Sequence, residues 1–322
     1  MLAPLPSLQD FRLQSYLGSG PFGHVYRARD QHNARDVAIK LLDPRRCTSS
    51  GLTRLTVIAR RATTSAVARD KQLYEVVADP VRPFVVMDLL PGENLQDLLL
   101  RAGPLPWKQA RGLGHAIAAA LEIAHAAGVV HGAVKPTNIF VHGELVYLTD
   151  FGVRALSDPH DPDVLLAEAG RMAPEQLRGE AADERCDVFG LGLVLFELVT
   201  GRLPFEGLPR EVFKHQLSRR PPAPSSFVPT LPHVADSMIL ALLAKSPAHR
   251  PANASRVRSM LAVPDAHPNE RPAPPTTTHA SASACGPESP RLVSPARPLA
   301  APVLAAAALV AALAGSLVIT CL

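Results

Sequence analysis

Up to about Pro91 the apolar residues of this chain come in short runs broken by turn residues; beyond it they come in long stretches with helical spacing. Residues 13–17, 25–29, 36–41 and 84–87 are apolar or alternating and are separated by turn residues, which predicts strands. Residues 110–127 carry small and apolar side chains around most of a helical surface, which predicts a buried helix. Residues 188–200 predict a second apolar helix and 238–245 a shorter one. Strands gathered in one part and helices in the next argue for an α+β protein of two lobes.

Three zones follow from composition. Residues 11–262 read as globular, and 47% hydrophobic residues in 322 are ample for a core. Residues 1–10 have no basic start and no long apolar run, so they read as an N-terminal extension and not a secretory signal. Residues 263–298 are rich in Pro, Ser, Thr and Ala without periodicity, which predicts a flexible linker. Residues 299–322 carry no charged side chain, and as a helix would span roughly 36 Å at about 1.5 Å per residue. That exceeds a hydrocarbon core of about 30 Å and predicts a C-terminal transmembrane helix. Arg291 and Arg297 precede it and no basic residue follows, so the positive-inside rule puts the globular part in the cytoplasm of a single-pass membrane protein. Cys47, Cys186, Cys285 and Cys321 form no metal-binding spacing and fit a reducing compartment. A net charge of +4 is too small to argue for nucleic acid, and the 5% aromatic residues show no basic–aromatic interleaving.

Gly18-Ser19-Gly20-Pro21-Phe22-Gly23 lies between two expected strands. Glycines let a backbone approach phosphates closely. A dinucleotide-binding loop would open into a helix, whereas residues 24–28 read as a strand. Val37-Ala38-Ile39-Lys40 follows on the next strand and ends in a lysine.

Taken with this loop and lysine, the later motifs resemble those of a protein Ser/Thr kinase domain of the bacterial membrane-anchored kind, over residues 11–262. His131-Gly132-Ala133-Val134-Lys135-Pro136-Thr137-Asn138 is similar to the catalytic loop H-R-D-L-K-P-x-N, Asp150-Phe151-Gly152 to D-F-G and Ala173-Pro174-Glu175 to A-P-E. The resemblance implies a β-rich first lobe (11–87), a hinge (88–91) and a helical second lobe (92–262). It implies ATP and Mg²⁺ as cofactors: Gly18, Gly20, Gly23 and Lys40 on the phosphates, Lys135 on the γ-phosphate, Asn138 and Asp150 on metal. Val25, Ala38, Met87, Asp88, Leu90 and Phe140 would line the rest of the nucleotide, with Met87 as gatekeeper. Asp187 would brace the catalytic loop and Arg250 would pair with Glu175.

The departures are one-sided. Ala133 stands where the family has the aspartate that accepts the substrate proton, and a methyl group accepts none. The glutamate that pairs with the strand lysine should fall near Ile58 or Ala59, yet no glutamate lies between Lys40 and Glu75, which leaves Lys40 without an expected partner. That stretch instead holds Arg45, Arg46, Arg54, Arg60, Arg61, Arg69 and Lys71, a solvated face or a docking surface for an acidic partner. Gly132 replaces the arginine that would receive an activation-loop phosphate, and Ser157 is the one hydroxyl between Val153 and Met172. Glu168 and Arg171 replace the threonine and tyrosine that precede A-P-E.

Groups that would hold ATP and metal remain; those that would activate a protein hydroxyl are gone. Binding and chemistry are separable free energies. The sequence therefore predicts a membrane-tethered, ATP-binding pseudokinase, a scaffold or allosteric partner for another protein or kinase. The alternative is an active or residual Ser/Thr kinase using Asp150, Asp161 or Asp163, and a third is a small-molecule phosphotransferase, whose loop H-G-D-x-x-P-x-N His131-Gly132 resembles. Ala307, Ala311 and Gly315 form a small-residue stripe that could pair two membrane helices in a homodimer.

Overall fold

A computed structural model of the chain describes Leu8 and residues 10–64 and 73–262. The first lobe is a five-stranded antiparallel sheet in the order β1-β2-β3-β5-β4, formed by β1 (Phe11–Gly20), β2 (Gly23–Asp30), β3 (Arg35–Leu42), β4 (Leu73–Val77) and β5 (Phe84–Asp88). Every expected strand is present and longer than its apolar run, because ladder hydrogen bonds continue through polar and glycine positions. β1 and β2 pair as far as Gly20↔Gly23, so the glycine segment is the end of a hairpin with Pro21 and Phe22 at its turn. One helix, α1 (Ser49–Thr64), crosses between β3 and β4.

The second lobe begins with β6 (Glu93–Asn94), α2 (Leu95–Ala102) and α3 (Trp107–Ala126). A short sheet, β6-β7-β8, follows with β7 (Ile139–His142) and β8 (Leu145–Leu148). The remaining helices are α4 (Pro162–Glu168), α5 (Pro174–Leu177), α6 (Arg185–Thr200), α7 (Pro209–Ser218), α8 (His233–Leu242) and α9 (Ala254–Ala262). α6 has no polar face: every residue from Cys186 to Val199 is buried. Such a helix is stable only in the middle of a core, and α3, α8 and α9 pack around it. At Gly190 the absence of a side chain lets Val134 approach; a Cβ there would lie 2.9 Å from it. This contact seats the loop 131–138 directly on the core helix.

Expected helix ends move by a few residues. The stretch expected at 238–245 is helical over His233–Leu242, and Lys245 lies beyond it. Among the described residues no helix is long and apolar enough to cross a membrane. The linker 263–298, the apolar segment 299–322, the Ala307/Ala311/Gly315 stripe, Cys285, Cys321, Arg69 and Lys71 lie outside the described residues.

Candidate functional site

β3 carries Lys40 into the cleft between the lobes, where it is 4% exposed. Its expected lack of a carboxylate partner is corrected by the fold: Lys40 Nζ donates to Asp150 Oδ2 at 2.6 Å. The two residues are far apart in sequence, so no local pattern announces the pair. Asp150 holds φ +64, in the left-handed region where a non-glycine residue stores about 1–3 kcal/mol of strain. Burial pushes the Asp150 carboxyl up, but the Lys40 charge and hydrogen bond, with Lys135 and His131 behind them, outweigh it and hold the group below its ordinary value.

The position expected for the missing glutamate lies on α1. Ile58 is there, and it packs against Gly152. An apolar contact thus joins α1 to the Asp150-Phe151-Gly152 turn where the family pattern has an ion pair on the strand lysine. Arg54 donates to the Ala155 carbonyl at 3.2 Å, and Arg45 pairs with Asp43, so part of the basic run is spent on local bonds.

The loop 131–138 keeps its frame. Asp187, 1% exposed at the start of α6, accepts from the backbone N–H groups of His131 (2.8 Å) and Gly132 (2.7 Å) and bonds His125 Nε2 at 2.8 Å. Ala133 N–H donates to His131 Nδ1 at 3.2 Å, and Asn138 Nδ2 donates to the Ala133 carbonyl at 2.9 Å. Burial holds His131 below the ordinary histidine value, and its ring lies 4.4 Å from that of Phe151. The loop is therefore shaped around position 133, while the Ala133 methyl supplies nothing to accept a proton. Its Cβ side packs against an apolar cluster containing Phe22, Leu42, Leu52, Leu55, Val85, Val153, Leu156 and Val164.

Lys135 bonds Glu168 Oε2 at 2.8 Å, with side chains 15% and 18% exposed. Arg171 makes a two-pronged bond to Glu197, at 2.6 and 2.9 Å. Arg250 does the same to Glu175 at 2.6 and 2.7 Å, the pair expected from sequence. Ser157 is 3% exposed and turned into the core.

The remaining expected nucleotide positions lie on, or just after, strands of the two sheets. Val25 pairs with Lys40 across β2-β3, and Ala38 with Met87 across β3-β5. Asp88 ends β5 opposite Val37, Leu90 follows it half-buried, and Phe140 is half-buried on β7 opposite Asn94. A Cβ added at Gly18 or Gly20 would meet nothing within 4 Å, so the hairpin end leaves space beside its backbone; one at Gly23 would strike the Leu41 carbonyl oxygen. The residues fit a magnesium nucleotide. Among the described residues the Asn138 amide oxygen has only the Thr137 hydroxyl, at 3.3 Å, and Asp150 supplies one carboxylate. Mg²⁺ is commonly held by one or two carboxylates plus substrate phosphates, so this donor set suits it.

Residues 11–262 match the family model for the protein kinase domain. Serine/threonine-protein kinase Pkn1 of Myxococcus xanthus is 34% identical over 265 residues, 79% of this chain and 38% of that protein. Serine/threonine-protein kinase PknL of Mycobacterium tuberculosis is 34% identical over 255 residues, 76% of this chain and 63% of that protein. The chain thus spans between 38% and 63% of the length of these two relatives. The crystal structure of the Mycobacterium tuberculosis PknI kinase domain superposes with a TM-score of 0.61 at 22% identity, covering 81% of this chain and 98% of that one, a likeness of fold. With a family model spanning most of its length, the chain belongs to the protein kinase family.

Proposed function

We propose that the chain is a nucleotide-binding, transfer-impaired kinase: a pseudokinase that acts as a scaffold or allosteric partner for another protein, held at a membrane by residues 299–322 with its kinase domain in the cytoplasm. The observation that carries this reading is the contrast within one loop. Asn138 braces the Ala133 backbone at 2.9 Å, and Asp150 meets Lys40 at 2.6 Å, yet the side chain at position 133 has no acceptor. In this reading Lys40 takes the α- and β-phosphates and orients Asp150, while Asp150 and Asn138 hold metal. Gly18 and Gly20 leave their backbone open to the phosphates. Mg²⁺, when bound, neutralises charge on the phosphate oxygens.

A positioned general base contributes about 10²–10⁴ in rate, or roughly 2.7–5.4 kcal/mol at about 1.36 per tenfold. Two of the three carboxylates considered as substitutes are engaged elsewhere. Asp150 is bonded to Lys40, and Asp161 caps the start of α4 by accepting from the Asp163 and Val164 N–H groups. A transfer assay with labelled ATP and a generic protein acceptor tests the reading. Expected is a rate about 10²–10⁴ below that of a family member with an intact loop. Turnover equal to such a kinase, abolished by Lys40→Ala, would overturn it.

A further inference from the structure

Glu168 is the last residue of α4, and its carboxylate accepts from Lys135 Nζ at 2.8 Å. It also acts on Arg154: burial holds that guanidinium below its ordinary value, and the Glu168 charge offsets only part of that. One carboxylate therefore lies in the field of two cations, beside the loop that lacks its own carboxylate at Ala133. A second contact holds the same helix. Val164 lies four residues before Glu168, hence on the same face of α4, and is 1% exposed in the cluster with Phe22, Val153 and Leu156. Phe22, at the turn of the glycine hairpin, is 2% exposed there. Ala167 lines, with Gly20, Gly23, Arg45 and Arg46, a cavity of about 460 Å³ beside the hairpin. The ion pair thus holds α4 to the loop 131–138, while Val164 shares an apolar cluster with Phe22 of the glycine hairpin.

We propose that Glu168 is a specificity-determining residue that stands in for the γ-phosphate at Lys135. The cleft then accepts a nucleoside diphosphate at least as readily as a triphosphate, and a triphosphate binds only as Glu168 leaves Lys135. The proposal rests on the nucleotide-binding reading above and names the regulation of that site. Its physical basis is competition. A lysine ammonium is a compact point charge, and two anions can share it only by approaching each other. Like charges so close in a site shielded from water repel strongly. A diphosphate has no third phosphate to place there and leaves the pair intact. Because Glu168 and Val164 share one face, losing the ion pair loosens the grip of α4 on Phe22 and the glycine hairpin. The coupling is reciprocal: whatever holds α4 down weakens triphosphate binding by the same factor. A kinase without a base could in this way signal which nucleotide it holds without transferring phosphate.

The test is calorimetric titration of Mg·ADP and Mg·ATP into the full chain and into Glu168→Gln and Glu168→Thr, with amide exchange followed over residues 162–168. Expected in both variants is a gain of about tenfold or more in affinity for ATP relative to ADP, within the usual range of coupling. In the unaltered chain, ATP but not ADP should speed exchange in α4. A Glu168 that merely anchors the helix would shift both nucleotides equally; an unchanged ATP-to-ADP ratio in both variants overturns the proposal while leaving nucleotide binding standing. ATP binding in the variants alone would support the proposal and place the unaltered chain in a permanently closed state. No binding to any of the three would overturn this proposal together with the nucleotide-binding reading.

Discussion

Ile58 stands directly against Gly152: a Cβ built on Gly152 would lie 2.6 Å from Ile58 Cδ1. Gly152 also sits at φ +68, where an L side chain is strained. The contact ties α1 to the turn that carries Asp150, and so sets where Asp150 meets Lys40. It does with packing what an ion pair on Lys40 would do with charge.

Gly152→Ala should therefore cost about 2–4 kcal/mol, from backbone strain and overpacking together. Ile58→Ala in the same background should recover part of that cost. Urea unfolding of the two single variants and the double variant measures the coupling, expected at about 0.5 kcal/mol or more. Additive costs would mean that the two residues do not press on each other.

Lys245 makes stability depend on pH in a defined direction. Its Nζ donates to the Gln216 carbonyl at 2.7 Å and lies 4.8 Å from the centre of the Phe205 ring. Burial, and then the Arg250 guanidinium, push it from 10.5 down to about 7. Between about 7 and 10.5 the unfolded chain holds a proton that the folded chain has released. Stability rises with pH wherever the unfolded state binds more protons. The folded chain should thus gain stability from pH 7 toward pH 10, and Lys245→Met should remove that part of the slope. Unfolding curves at several pH values compare the two proteins; identical slopes would contradict the assignment.

Ser157 has an Oγ with no hydrogen-bond partner among the described residues, at 3% residue exposure. A buried hydroxyl in that state costs about 1–3 kcal/mol relative to one that is bonded. Ser157→Ala should leave stability unchanged or raise it. A phosphate would bring a charge of about −1.5 to −2 into the same place. Incubation of the folded chain with an active Ser/Thr kinase, followed by mass spectrometry, should leave Ser157 unmodified, with modification appearing only after denaturation. Stoichiometric phosphorylation of the native chain would contradict this.

The sequence carried those features that are local or that fix a motif's order. Strand cores came from apolar runs, α3 and α6 from helical spacing, and Glu175, Asp187 and Arg250 from their places in an ordered pattern. β4 was not legible, because Leu73–Val77 interrupts its apolar residues with Tyr74 and Glu75. The β6-β7-β8 sheet was missed because its strands are two to four residues long. The partners within the site depend on contacts across the fold. Lys40 meets Asp150 beside the turn where Gly152 packs on Ile58 of α1, and nothing near Lys40 in the sequence signals that. Glu168 was legible as a replacement for a threonine. Its bond to Lys135 was not, although a threonine position turned acidic beside the loop lysine was a signal that charge complementarity could have used.

The proposed function requires that the phosphate-holding half of the site outlast the loss of the base. Titration of ATP into the full chain, with and without Mg²⁺ and beside Lys40→Ala, tests it most directly. Saturable binding is expected, strengthened by Mg²⁺ and lost in Lys40→Ala. No binding at millimolar ATP, or binding indifferent to Lys40, would contradict it.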